Sequence, residues 1–227
     1  MKLAVFGAKG AVGRKLIDQA LAKGHEIVAL EPTWDDAEPP AGVTPQTCDV
    51  LKDDIGPHLE GCDAVLSCLG VGNAVGTLLD PPPLYTRGTS NILAGMHKAG
   101  VSRVVVISAT FVAARDRGPL HFRVPAMAAL HNVIEQMAEM EALLRASDTE
   151  WTAVRPGWMM DGPPTDDYVV TPDVIPQDLI RARMADVAQL MLACVEEGIW
   201  IRQTPALARA EDPDTTSIEA VAKEFLG

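Results

Sequence analysis

Short apolar runs alternate with amphipathic stretches along most of the chain, and the two patterns predict strands and helices in turn. Helical spacing predicts one helix that ends near residue 23 and others over about 90–99, 131–145 and 185–195. The run at 104–107 is entirely β-branched, as expected of a strand buried on both faces. The alternation predicts an α/β fold of the Rossmann type, a doubly wound parallel sheet with helices on both faces. Strands are expected at 2–6, 26–30, 47–49, 64–68, 104–107 and 151–154.

The first predicted strand runs into a glycine-rich turn, Gly7-Ala8-Lys9-Gly10-Ala11-Val12-Gly13. In a dinucleotide-binding turn, the first glycine permits the sharp exit from the strand, the second lets the backbone approach the pyrophosphate, and the third lets the helix pack close to the sheet. The N-terminus of the following helix offers free N–H groups and a partial positive charge to the phosphates. The motif predicts bound NAD or NADP. The alternative is a turn that packs a helix on a sheet without a ligand.

Two stretches interrupt the alternation where a substrate would lie, since ligands of such sheets bind beyond the carboxyl ends of the strands. Segments 118–129 and 157–176 follow strand ends and carry apolar and aromatic residues, so substrate-covering loops are expected at about 111–130 and 157–180. Candidate substrate contacts are Phe111, Met127 and Trp158, with simple core packing as the alternative. The C-terminal part is expected to form a small substrate-covering region, with a closing helix at 218–226.

Composition and charge narrow the class of protein. A length of 227 residues with 48% hydrophobic and 22% charged residues predicts one domain over 1–227. A net charge of −12 argues against nucleic acid or an anionic membrane as partner. The first strand begins at residue 2, which leaves no room for a signal peptide, and the four cysteines show no metal-binding spacing. A cytoplasmic protein with reduced thiols, no metal site and an unknown oligomeric state is expected.

The motifs, taken in order, resemble those of the atypical short-chain dehydrogenase/reductases, in the NmrA-like and flavin reductase-like branch. The resemblance covers roughly residues 1–200. It is carried by Gly7-Ala8-Lys9-Gly10-Ala11-Val12-Gly13, Cys48-Asp49-Val50, Gly61-Cys62-Asp63-Ala64-Val65, Thr89-Ser90-Asn91-Ile92-Leu93, Val105-Val106-Ile107-Ser108 and Arg155-Pro156-Gly157.

The resemblance implies a role for the residues that follow each strand. Asp49, with Val50 beside it, would contact the adenine, and Leu69 and Gly70 would line the cofactor ribose. Ser108 would lie at the nicotinamide, where Pro156, Gly157 and Trp158 would flank the same ring. The cofactor-binding candidates are therefore Gly7, Lys9, Gly10, Ala11, Val12, Gly13, Glu31, Asp49, Val50, Leu69, Gly70, Ser108, Pro156 and Gly157.

The usual Tyr-x-x-x-Lys pair of this superfamily is replaced by Val133 and Met137 when the helix ends are aligned, and the two tyrosines of the chain lie elsewhere in the sequence. Hydride transfer to a flavin, quinone or similar conjugated acceptor tolerates this loss, because the product anion is delocalised and can take its proton from water. Ser108, His121 and His131 are the catalytic candidates. Local backbone bonding of the serine and simple solvation of the histidines are the alternatives.

The choice between NAD and NADP rests on the end of the second strand. Glu31 places a carboxylate where it would accept from the adenosine ribose and repel a 2′-phosphate, which favours NAD. NADP-binding relatives usually carry an arginine at the next position, which is Pro32 here. Lys9 could reach a 2′-phosphate, which would favour NADP, or it could pair with Glu31 and leave no site for that phosphate.

The sequence thus favours an NAD(P)H-dependent oxidoreductase acting on a flat conjugated small molecule. Two alternatives stay open. One is a non-catalytic, dinucleotide-sensing regulator of the NmrA-like kind, which the missing pair would suit. The other is a biosynthetic enzyme of this fold that performs a non-redox step.

Overall fold

A computed structural model describes residues 1–35, 38–71, 75–114, 120–212 and 215, and the side chains of these except 75, 76 and 120–129. The helices are α1 (Ala11–Ala22), α2 (Val75–Leu79), α3 (Thr89–Ala99), α4 (Leu120–Ala146) and α5 (Met184–Glu196). The strands are β1 (Lys2–Phe6), β2 (Glu26–Glu31), β3 (Val43–Thr47), β4 (Ala64–Ser67), β5 (Arg103–Ile107), β6 (Glu150–Pro156), β7 (Trp158–Met160), β8 (Val169–Pro172), β9 (Arg181–Arg183) and β10 (Pro205–Ala208).

Eight of these strands form one sheet in the order β3-β2-β1-β4-β5-β6-β10-β8. All neighbours in it are parallel except β8, which pairs antiparallel with β10 at the edge. Strands β7 and β9 form a separate parallel pair. The doubly wound parallel sheet expected from the sequence is confirmed, and the order reverses between β1 and β4, where such folds bind their ligands.

Helices cover the sheet on both faces because alternate strand residues are apolar on each side. On one face, Leu3 and Val5 of β1 pack with apolar residues of α1 and α5. On the other, Ala4 and Phe6 pack with residues of α3 and α4. The four cysteines are buried and unbridged, two in each cluster. No helix in the described part of the chain is long and apolar enough to cross a membrane.

Three elements differ from the sequence prediction. The third strand lies at Val43–Thr47 rather than 47–49 and contains Pro45, which an edge strand tolerates because one side of its backbone is unpaired. The loop predicted over 118–129 is helical from Leu120 onward, since the alanine, leucine and methionine residues at its end are strong helix formers. Segment 157–176 contains β7 and β8. The helix predicted at 218–226 lies outside the described residues.

Candidate dinucleotide and substrate site

One cavity of about 1120 Å³ lies at the carboxyl ends of the central strands and is closed on one side by α4. Its wall includes the glycine turn and the residues that follow β2, β4, β5 and β6. The sequence-predicted residues that line it are Gly7, Lys9, Gly10, Ala11, Val12, Glu31, Asp49, Val50, Leu69, Gly70, Ser108, Phe111, Pro156, Gly157 and Trp158. Most of the candidates were chosen because they follow the carboxyl ends of parallel strands, and the sheet brings them to one cavity.

The glycine turn has the geometry that its spacing predicts. Gly7 has φ +72°, and a Cβ there would lie 2.5 Å from the carbonyl oxygen of Cys68. A Cβ on Gly13 would lie 2.1 Å from the carbonyl oxygen of Gly7, so Gly13 packs α1 against the turn and is not part of the cavity wall. Ala11 and Val12, at the first turn of α1, do line the cavity. A helix begins there with N–H groups that its own carbonyls do not satisfy, which suits a pyrophosphate.

Glu31, at the end of β2, is tied to the glycine turn. Its Oε1 accepts the backbone N–H of Lys9 at 2.6 Å, and only 8% of the residue is exposed. The Lys9 ammonium donates to the carbonyl oxygen of Thr33 at 2.9 Å and lies 5.9 Å from the centre of the Trp34 ring. These contacts hold a carboxylate at the cavity wall beside the turn.

Asp49 lies at the same end of the cavity and is held as an ionised carboxylate. The Lys52 ammonium lies 2.7 Å from Oδ2, and the backbone N–H of Leu51 donates to Oδ1 at 3.0 Å. The hydrogen bond from Lys52, followed by that from Leu51, holds the pKa of Asp49 below its usual range. Asp49 can therefore act toward a ligand only as an acceptor, as contact with an adenine amino group requires.

The two basic residues in the first half of α1, Arg14 and Lys15, have partners within the protein. Lys15 forms an ion pair at 2.7 Å with Asp161, which is a cavity residue. Arg14 donates through Nε to the carbonyl oxygen of Lys9 at 2.9 Å. Arg14 thus braces the glycine turn, and its exposed guanidinium remains close to the start of α1.

Ser108, just after β5, belongs to a buried polar network that the sequence did not reveal. Its hydroxyl donates to Glu141 Oε1 at 2.7 Å. Arg155 donates to both carboxylate oxygens of Glu141, from Nε at 2.8 Å and from Nη2 at 2.6 Å, and Arg145 adds a contact to Oε2 at 2.8 Å. Glu141 is fully buried, and Arg155 is 5% exposed. Burial alone would raise the pKa of Glu141, but the hydrogen bonds from Arg155, Ser108 and Arg145 together outweigh it and lower the pKa.

A sequence signal for Glu141 existed in the pattern of α4. The residue follows the buried Met140 and stands four positions after Met137, so it falls on the apolar stripe that faces the sheet. A carboxylate at such a position requires a buried cation, and Arg155 of the Arg-Pro-Gly segment provides it. The partner could not be assigned without the structure.

Apolar side chains form the far end of the cavity. Phe111 and Trp158 meet edge to face, with ring centres 6.5 Å apart. Val133 and Met137 both line the wall from α4. A flat ring system would fit such a surface, which offers area and little hydrogen bonding.

Tyr85 is a cavity residue that the sequence placed elsewhere. It lies on a single π-helical turn, Leu84–Gly88, lines the cavity and is 5% exposed. Burial raises the pKa of Tyr85, and a hydrogen bond with the backbone of Val71 offsets part of this effect. The phenol is therefore neutral at physiological pH. No periodic pattern marked it, because an isolated π-turn has neither strand nor helix period.

Of the two histidine candidates, only His131 has a described side chain, and it does not join the site. His131 is exposed and is not a cavity residue. The residues of α4 that line the cavity are Leu130, Val133, Ile134 and Met137. Successive residues of an α-helix are turned by about 100°, so a residue beside the stripe points away from it. The side chains of His121 and Met127 lie outside the described residues.

Solved structures share this architecture. The anaerobillin reductase ChuY of Escherichia coli O157:H7 superposes with a TM-score of 0.76 at 21% identity, over 94% of this chain and 100% of that one. A proposed NADH-flavin reductase of Streptococcus pneumoniae gives 0.71 at 22% identity, over 92% and 100%. An uncharacterized chloroplastic protein of Arabidopsis thaliana is 24% identical over 222 residues, covering 93% of this chain and 78% of its own length.

The sequence itself matches a family model described as NAD(P)H-binding over residues 7–198, from the first glycine of the turn to two residues beyond α5. This span contains every cavity residue except Phe6. The glycine turn, the helix start beyond it and the carboxylate at the end of β2 fit the phosphates and ribose of a dinucleotide. The chain belongs to the NAD(P)H-binding family.

Proposed function

We propose that this protein is an NAD(P)H-dependent reductase of a flat, conjugated small molecule such as a flavin, a bilin or a quinone. The observation that carries the proposal is one continuous cavity that runs from the glycine turn to the Phe111–Trp158 corner, with Ser108 on its wall. It has room for a dinucleotide and for a ring system beside the nicotinamide. The flavin and anaerobillin reductases among the similar structures support the same class of acceptor.

The wall from α4 favours a conjugated acceptor over a simple ketone. Reduction of an isolated carbonyl needs a proton donor at the oxygen, and Val133 and Met137 have no proton to give. The nicotinamide supplies a hydride, and a conjugated acceptor spreads the resulting charge over its rings. Such an anion can be protonated by water, so that the protein contributes mainly the position of donor and acceptor.

A screen of acceptors tests this function. Oxidation of NADH and NADPH would be followed with panels of flavins, bilins, quinones and dicarbonyl compounds, and turnover with a flavin, a bilin or a quinone is expected. Tight dinucleotide binding without turnover on any panel would instead support a sensor or a non-redox enzyme. The absence of any dinucleotide binding would contradict the proposal.

The source of the proton is tested by Tyr85→Phe, since Tyr85 is a neutral phenol on the cavity wall. If water protonates the product, kcat of this variant stays within about threefold of the wild-type value. A general acid contributes typically 10²–10⁴-fold. A loss of that size, with unchanged KM for the dinucleotide, would assign the proton to Tyr85 and refute protonation by water.

We further propose NAD rather than NADP as the preferred cofactor, on the basis of the Glu31 carboxylate held at the wall beside the glycine turn. A 2′-phosphate on the adenosine ribose would meet this negative charge. The KM ratio for NADPH over NADH should therefore exceed ten. The double variant Glu31→Gln, Pro32→Arg keeps an acceptor for the Lys9 N–H, removes the charge and adds a cation, so the ratio should fall below one. A wild-type preference for NADPH would refute this choice.

A further inference from the structure

The network around Ser108 fixes the direction of its hydrogen bond. Glu141 receives four donors: Ser108 Oγ and Arg155 Nε on Oε1, and Arg155 Nη2 and Arg145 Nη2 on Oε2, all at 2.6–2.8 Å. A carboxylate held between two guanidinium groups is ionised, and an ionised carboxylate only accepts hydrogen bonds. The one hydroxyl hydrogen of Ser108 is therefore directed at Glu141.

This leaves Ser108 with two lone pairs and no hydrogen for a bound molecule. Ser108 lines the cavity with only 1% of the residue exposed, so a ligand group would reach it at a closed point of the wall, whereas Glu141 does not line the cavity. We infer that Ser108 presents a hydrogen-bond acceptor to the cavity, that the ligand group beside it is an amide, lactam or imide N–H, and that Glu141 is the positioning residue that sets this polarity. The inference rests on the proposed function, and it deepens it by naming the chemistry that the site recognises.

Such an N–H has two sources in the proposed reaction. One is the carboxamide of the nicotinamide. The other is a ring N–H of the acceptor, such as the imide of a flavin or the lactam of a bilin. A quinone offers only oxygen acceptors, which Ser108 could not satisfy. If the N–H group belongs to the molecule that accepts the hydride, the site therefore favours flavins and bilins over quinones.

A binding experiment with two arms separates these sources without requiring turnover. The first arm compares NAD⁺ with its 3-acetylpyridine analogue, in which a methyl ketone replaces the carboxamide. The second compares lumiflavin with its N3-methyl derivative. Both pairs are titrated calorimetrically against the wild type, Ser108→Ala and the matched control Ser67→Ala. Ser67 is a buried serine of β4 that is not part of the cavity wall.

In the arm whose molecule donates to Ser108, removal of the N–H should weaken binding to the wild type roughly tenfold. Removal of the N–H should lower the affinity of Ser108→Ala by a factor of about two or less, and Ser67→Ala should behave like the wild type. Glu141→Gln gives a second readout, because an amide NH₂ can donate to Ser108 and free its hydroxyl hydrogen. The N–H effect should then shrink although Ser108 is intact.

The inference is overturned if neither arm shows this coupling. That is the case if removal of the N–H lowers the affinity of Ser108→Ala as much as that of the wild type, or if it leaves the affinity of the wild type unchanged. Failure of lumiflavin to bind leaves the cofactor arm to decide. Failure of the wild type to bind or oxidise any dinucleotide refutes the proposed function together with the inference. Normal binding and turnover without coupling refutes the inference alone.

Discussion

Replacement of Glu141 by glutamine tests whether the buried ion pair holds α4 against the sheet. Glu141 lies on α4 and Arg155 on β6, and both carboxylate oxygens accept from Arg155, at 2.8 and 2.6 Å. Whichever way the glutamine amide is turned, its NH₂ group faces a guanidinium N–H. The variant therefore loses the counter-ion of a buried arginine and replaces one attractive contact by two opposed donors.

The expected loss in the free energy of unfolding is about 3–5 kcal/mol, the typical cost of removing one partner of a buried pair. That is a large part of the roughly 5–15 kcal/mol by which a domain of this kind is stable. The contact with Arg145 adds little, because that side chain is 48% exposed and such i,i+4 pairs contribute about 0.3–0.5 kcal/mol.

Urea unfolding followed by tryptophan fluorescence measures this loss. Glu139→Gln is the matched control, since it makes the same chemical change at an exposed position of the same helix. The control should change the free energy of unfolding by no more than about 0.5 kcal/mol. A value for Glu141→Gln within about 1 kcal/mol of the control would show that the pair only offsets its own desolvation and does not hold α4 against the sheet.

Three further predictions follow from the geometry and the pKa shifts. Because the folded-state pKa of Glu141 is lowered, its contribution to stability is full above the ordinary glutamate pKa of about 4.3 and is lost as the pH falls through the lowered pKa; the stability difference between wild type and Glu141→Gln should therefore be constant at neutral pH and shrink as the pH falls below about 4.3. Gly157→Ala should cost about 1–3 kcal/mol, because its Cβ would lie 2.3 Å from the carbonyl oxygen of Ile180, whereas Gly70→Ala, with nothing nearer than 4.0 Å, should leave urea stability unchanged. Burial raises the pKa of the Cys68 thiol to about 12, so Ellman's reagent should label it at pH 8 only after unfolding, and fast labelling of the native protein would contradict this.

The sequence predicted the parts of the site that depend on local signals. The glycine turn is encoded within seven consecutive residues, and a parallel sheet necessarily brings the ends of its strands to one edge. Glu31, Asp49 and Ser108 are therefore found on one cavity wall although about 77 residues of chain separate the first from the last. The glycine spacing also predicted the packing role of Gly13, although Gly13 was a cofactor-contact candidate as well and is not part of the cavity wall.

What the sequence could not predict depends on contacts between distant elements. Glu141 is separated by 33 residues from Ser108 and by 14 from Arg155, and only the docking of α4 on β5 and β6 brings them together. Tyr85 reaches the cavity from a single π-turn without a periodic signal. His131 was a candidate because a histidine stands there beside the segment predicted to cover the substrate, and the phase of the helix turns it to solvent.

Two glutamates show how burial and partner decide what one residue type does at this site. Glu31 lines the cavity and has a backbone N–H among its partners, so its charge acts on the ligand and should select the cofactor. Glu141 is fully buried between arginines and acts on a ligand only through Ser108. Glutamine at residue 31 should therefore change the preference between NADH and NADPH with little effect on stability. Glutamine at residue 141 should lower stability and alter recognition of an N–H group, and the two sets of effects should be independent of each other.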